Sequence, residues 1–190
     1  MQICPHEILR TLLEAEPRQT CEAPRDARGL YGLVDHRGKL RYIGATQSVR
    51  QTLYQRIHNR HRSGSEGMSH YFSDMYNVGR MWRDRDDRIN LADGKIAKKL
   101  RNAFVSDHCR AVWTVLPDTV DIMRLEDAVI AIAPEHATAW NGRKMAPYCE
   151  PVELVDATIA RLRLDPRQRA AIDRQHERFM KFKTTGLIVA

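Results

Sequence analysis

Four cysteines in 190 residues, at positions 4, 21, 109 and 149, form no Cys-x-x-Cys pair and no matched Cys/His spacing. That argues against a disulfide framework or a structural zinc site, and the thiols are expected to be reduced and mostly buried. No apolar run is long enough to cross a bilayer. Met1 to Glu7 lacks the basic-then-apolar layout of a secretory signal, so the expectation is a cytoplasmic chain with no membrane partner. No glycine-rich phosphate loop follows a strand-like segment and no Gly-x-Ser-x-Gly elbow occurs, which removes the usual signs of loop-bound nucleotides and of serine-hydrolase chemistry.

What is present is positive charge. Lysine and arginine number 31 against 24 acidic residues, a net +7, which suits a polyphosphate partner. At 190 residues and 43% hydrophobic content, the chain can bury a real core as one domain with appendages.

The pattern along the chain is α+β: a small mixed or antiparallel three-stranded sheet with a β-hairpin, flanked by helices. Ile8, Leu9, Leu12 and Leu13 predict a short helix over residues 7–15. Ser48 to Gln51 reads as a capping box opening a helix to about Arg62, with Val49, Leu53 and Ile57 facing the core. Asp93 is the expected cap of a helix reaching Val105. Residues 111–116 read as the third strand, closed by Pro117, and Asp118 or Thr119 as the cap of a helix to about Ala133. Two further helices are expected over 151–164 and 166–183. The organisation predicted is an N-terminal helical extension (1–27), a central domain (28–150) carrying a charged, mobile insertion at about 63–90, and a C-terminal helical extension (151–190).

Gly29-Leu30-Tyr31 and Tyr42-Ile43-Gly44 flank a turn at Asp35 to Lys39, the layout of a hairpin with a tyrosine in each arm. With Asp35 opposite Gly38, Leu33 faces Leu40, Tyr31 faces Tyr42 and Gly29 faces Gly44. Both phenols then share one face, and Leu30, Val34 and Ile43 fill the other. A three-residue loop with Gly38 as a left-handed bulge shifts the register by one and separates the phenols. The expected register is the first, because two phenols beside bare glycine backbone leave room for a substrate.

Two charged residues sit beside apolar stripes. Arg56 follows Leu53 by one turn, and its planar guanidinium suits a bidentate grip on phosphate. Glu126 borders the stripe of Ile122, Leu125, Val129 and Ile132, where a carboxylate is costly unless solvated, paired or bound to a cation; oxygen ligation favours Mg²⁺ or Mn²⁺. Arg50, His58, Arg60, His61, Arg62, Lys95, Lys98 and Lys99 are candidates for nucleic-acid backbone contact, the alternative being a solvated basic face.

In order, Gly29-Leu30-Tyr31, Tyr42-Ile43-Gly44, Arg56, Glu126 and Asn141 resemble the GIY-YIG nuclease superfamily over roughly residues 28–143, with Leu30 in place of the usual isoleucine. The resemblance implies a metal-dependent endonuclease cutting DNA by activated-water attack. It implies that Glu126 holds the single metal, Tyr31 is the general base or orients the water, Tyr42 hydrogen-bonds the phosphate or water, Arg56 stabilises phosphoryl charge and Asn141 supports the site. A metal and Arg56 beside Tyr31 would favour its phenolate. Family members often carry a histidine one turn after the arginine; that place is taken by Arg60, with His58 and His61 nearby but at neither matching helical angle. The alternatives are a nonspecific or RNA-cleaving, toxin-like nuclease and a non-catalytic nucleic-acid-binding module on the same fold.

Overall fold

The computed structural model describes residues 3–62, 71–84, 88–142 and 148–185. Its centre is a three-stranded antiparallel sheet of β1 (Gly29–Val34), β2 (Leu40–Ala45) and β3 (Arg110–Val115), in the order β2-β1-β3. The helices are α1 (Pro5–Glu14), a π-helix (Gln55–His61), α2 (Tyr71–Asp74), α3 (Leu91–His108), α4 (Ile122–Ile132), α5 (Glu135–Thr138), α6 (Val152–Leu162) and α7 (Pro166–Thr184). The α+β class with one small sheet is as expected.

Alternation along β1 and β2 divides the core in two. Leu30, Val34 and Ile43 pack beneath α1 and α4, against Leu9, Leu12, Leu125 and Val129. Tyr31, Leu33 and Tyr42 face the other way, towards Leu53 just before the π-helix, Ile57 within it, and Leu100 and Phe104 of α3. No helix among the described residues is long and apolar enough to cross a membrane.

The hairpin register differs from the expected one by two residues: Tyr31 lies opposite Gly44 and Leu33 opposite Tyr42, while Gly29 pairs with Val115 of β3. Two single-residue irregularities account for it. Gly38 takes the left-handed conformation (φ 74°), which only glycine adopts without strain, and the turn closes with the Asp35 amide donating to the Lys39 carbonyl. Arg41 is then an extra residue in β2, since Val34 pairs with Leu40 but Leu33 pairs with Tyr42. Each irregularity alone would flip the phenols apart; together they restore the common face.

Asp35 organises both. Its buried carboxylate accepts from the Arg37 and Lys39 amides at 2.9 Å, from Arg41 Nε at 2.9 Å and from the Tyr148 hydroxyl at 2.8 Å. Burial opposes its ionisation, but these donors outweigh burial and hold its pKa below the usual carboxylate value.

Several helix starts differ from those expected. Ser48 to Gln51 is a turn, and the reciprocal box is Thr52 with Gln55, each side chain bonded to the other's backbone amide. Val49 is therefore 70% exposed, whereas Leu53 and Ile57 are fully buried. Asp121, not Asp118 or Thr119, caps α4 by accepting from the Arg124 amide. Asp93 lies inside the first turn of α3 and pairs with Arg174 of α7 at 2.8 Å. Ile132, at the end of the α4 stripe, is exposed. Of the cysteines only Cys109 is buried; Cys21 and Cys149 are exposed and Cys4 is intermediate.

The stretch expected as an insertion contributes to the core. Phe72, Tyr76, Met81 and Trp82 are all buried, and Arg80 ties this segment to Glu150 and Asp156. Residues 63–70 and 85–87 of that stretch lie outside the described residues.

Candidate active site

Tyr31 and Tyr42 stack with ring centroids 6.2 Å apart and planes at 26°. The space between their diagonal positions exists because residue 44 is glycine. A β-carbon there would lie 2.7 Å from the Tyr31 hydroxyl and 2.7 Å from the Tyr42 ring, closer than real β-carbons come, so any side chain at 44 displaces a phenol.

The third ring is His61. Its Nε2 is 2.6 Å from the Tyr31 hydroxyl, and its ring centroid is 5.4 Å from that of Tyr31 and 4.9 Å from that of Tyr42. His61, grouped above with the surface cations, is 1% exposed and belongs to this cluster. The reason is the helix that carries it. Residues 55–61 are wound as a π-helix, whose i→i+5 hydrogen bonding places a residue five positions on, not four, one turn above its starting point. His61 therefore stacks one turn beyond Arg56, and Arg60 turns out to solvent.

Arg56 is 3% exposed, and its Nε has no hydrogen-bond partner among the described residues. A buried unsatisfied donor is costly, and a phosphate oxygen is a partner that would satisfy it. The guanidinium acts on both neighbours, favouring the phenolate of Tyr31 and the carboxylate of Glu126. Neither effect prevails. Burial, followed by the Tyr42 phenol, holds the Tyr31 pKa well above that of a free phenol despite Arg56, so Tyr31 is a neutral phenol. Arg56 lowers the Tyr31 pKa, the direction expected of it.

Glu126 reaches the cluster from α4, around the end of β2, with the Ala45 amide beside it. Burial raises its pKa, Arg56 and the Ala45 amide lower it, and Asp127 adds to the rise. No group of three or more His, Cys, Asp or Glu side chains gathers to hold a metal among the described residues. A lone carboxylate of this kind fits a hard cation that keeps most of its waters and takes substrate oxygens, which is how Mg²⁺ is commonly held; it does not fit a zinc centre.

Asn141 stands behind the cluster. Its Oδ1 accepts from the Ile43 amide at 3.1 Å and its Nδ2 donates to the Ile43 carbonyl at 2.6 Å, while the Trp140 amide donates to the Arg41 carbonyl at 2.9 Å. A side-chain amide thus completes the free edge of β2 at Ile43, between Tyr42 and Gly44. Among the remaining candidates, Arg50, Arg60, Lys95 and Lys99 are exposed and His58, Arg62 and Lys98 half-buried. Asp35, Tyr148 and the π-turn of His61 had no sign in the motif order.

Compared with family models, with curated proteins and with solved structures, the chain matches none. A functional reading therefore rests on the geometry of Tyr31, Tyr42, Arg56, His61 and Glu126.

Proposed function

We propose that the protein is a metal-dependent endonuclease hydrolysing DNA phosphodiester bonds by attack of an activated water, leaving 5′-phosphate and 3′-hydroxyl ends. The observation that carries this reading is the 2.6 Å contact between the Tyr31 hydroxyl and His61 Nε2, buried beside an arginine with an unsatisfied Nε.

A phenol alone is a poor base, with a free pKa of about 10, and burial makes Tyr31 poorer. With the His61 Nδ1–H tautomer, Nε2 accepts the phenol proton. The Tyr31 oxygen takes a proton from the attacking water as its own passes to His61, so no free phenolate forms, and His61 ends as imidazolium. Tyr42 orients the water or the phosphate beside it. Arg56 donates to the phosphoryl oxygens, where charge grows in the transition state. Glu126 would hold Mg²⁺ or Mn²⁺, which supplies Lewis-acid stabilisation of the phosphate. The net charge of +7 favours the polyanionic substrate.

The test is supercoiled plasmid incubated with Mg²⁺ and with EDTA. Mg²⁺-dependent nicking or linearisation supports the reading. A salt-sensitive gel shift with no cleavage supports the binding module instead, and equal digestion of RNA supports the broader nuclease.

A further inference from the structure

We infer that the outer face of the π-helix is a second contact for DNA, in which Arg25, mounted on the ring of Tyr54, and Arg62, beside His58, grip backbone phosphates away from the tyrosine cluster; the inference rests on the nuclease reading above. Tyr54 and His58, four apart, are half-buried, with Tyr54 packing in part against the core, whereas Arg56 and His61 are fully buried. The Arg25 guanidinium carbon is 3.8 Å from the Tyr54 ring centroid, and the His58 ring lies against the same tyrosine, centroids 5.0 Å apart. His58 Nδ1 is fixed by the Thr20 hydroxyl at 3.0 Å, and Arg62 Nε donates to the His58 carbonyl at 3.1 Å.

Three observations make this more than a structural clip. The connector before the hairpin is already held by main-chain bonds, from the Leu53 amide to Ala27 and from the Tyr54 amide to Pro24, both 2.9 Å, so its docking does not need the Arg25 charge. Arg41, Arg80 and Arg174 are held by carboxylates; Arg25 and Arg62 have none among the described residues. Arg25 is exposed and its guanidinium already rests on the Tyr54 ring, so less side-chain freedom is lost when it meets a phosphate. Burial, then the charges of Arg62 and Arg25, lower the His58 pKa, the two arginine contributions reflecting the positive field on this face. The two faces of the helix are about 10 Å apart, so one duplex bent over the helix, or two segments of one, would span both contacts.

The experiment is fluorescence anisotropy with a labelled 20-bp DNA duplex over a KCl series in EDTA, using the full chain and Arg25→Gln, Arg25→Lys, Arg62→Gln and Arg10→Gln, with plasmid cleavage by the unchanged protein alongside. Arg25→Gln and Arg62→Gln are each expected to lower the slope of log K against log salt by about 0.9, one phosphate's share. Arg25→Lys should keep the slope while binding more weakly, and Arg10→Gln, an equal charge loss on α1, should match the parent. Unchanged slopes in Arg25→Gln and Arg62→Gln, with cleavage present, overturn this contact and leave the nuclease standing. Reduced slopes without any cleavage overturn the nuclease and leave the contact. Absence of salt-dependent binding overturns both.

Discussion

The Tyr31 hydroxyl and His61 Nε2 lie 2.6 Å apart, and the contact exists because five residues, not four, make the turn between Arg56 and His61. This spacing separates the roles of neighbouring residues. His61→Ala is expected to slow cleavage by 10²-fold or more, the usual range for a general base, whereas Arg60→Ala should affect chiefly affinity. Deleting Arg60 removes the residue that the π-turn accommodates, so an ordinary α-turn would bring the histidine back above Arg56. That deletion should retain more cleavage than His61→Ala, as measured by single-turnover rates.

Glu126 should trade stability for function. Its folded pKa is raised, chiefly by burial, so the native state binds its proton more tightly than the unfolded chain does. Stability falls as pH rises from the unfolded value of about 4.3 through the folded one. Glu126→Gln is therefore expected to melt higher by about 2 °C, a small shift because the site is partly open to water, while cleaving nothing. Added Mg²⁺ should raise the melting temperature of the parent and not that of the variant. An equal Mg²⁺ shift in both would place the ion elsewhere.

Asp35 should show the opposite sign. Its pKa is lowered in the fold by its donors against the effect of burial, so its stabilising contribution is complete above the unfolded value of about 3.9 and disappears as pH falls through the folded one. Asp35→Asn leaves Arg41 without its carboxylate and is expected to cost about 3 kcal/mol at pH 7. The gap in stability between parent and variant should close below about pH 4, a comparison that denaturant titrations at several pH values make directly. A gap that stays constant would show that the carboxylate charge is not what holds the hairpin.

Some of this was legible in the residues and some could not be. The alternation of Leu30, Tyr31, Leu33 and Val34 marks a strand with two distinct faces, and the burial of Leu30 and Tyr31 in separate halves of the core follows from it. The register was not legible, because it depends on two offsets that cancel in face but not in pairing: the left-handed Gly38 and the bulge at Arg41. The position of Asp35 is readable as a turn residue, yet its role as acceptor for Arg41 and Tyr148 needs the chain to bring residue 148 back to residue 35. The charged stretch after residue 70 reads as surface by composition, and its Phe72, Tyr76 and Trp82 are the minority that decides its place. Nothing in local propensity announces a π-helix, so His61 stood one position too far along for an α-helical reading.

The most direct measurement is single-turnover cleavage of an end-labelled DNA duplex in Mg²⁺ by the parent and by Tyr31→Phe, with duplex affinity measured in EDTA for both. The substitution removes one oxygen and keeps the ring that packs against Tyr42 and His61. A loss of cleavage of 10²-fold or more with affinity retained is the expected result; a variant that cuts as fast as the parent would contradict a Tyr31-centred nuclease.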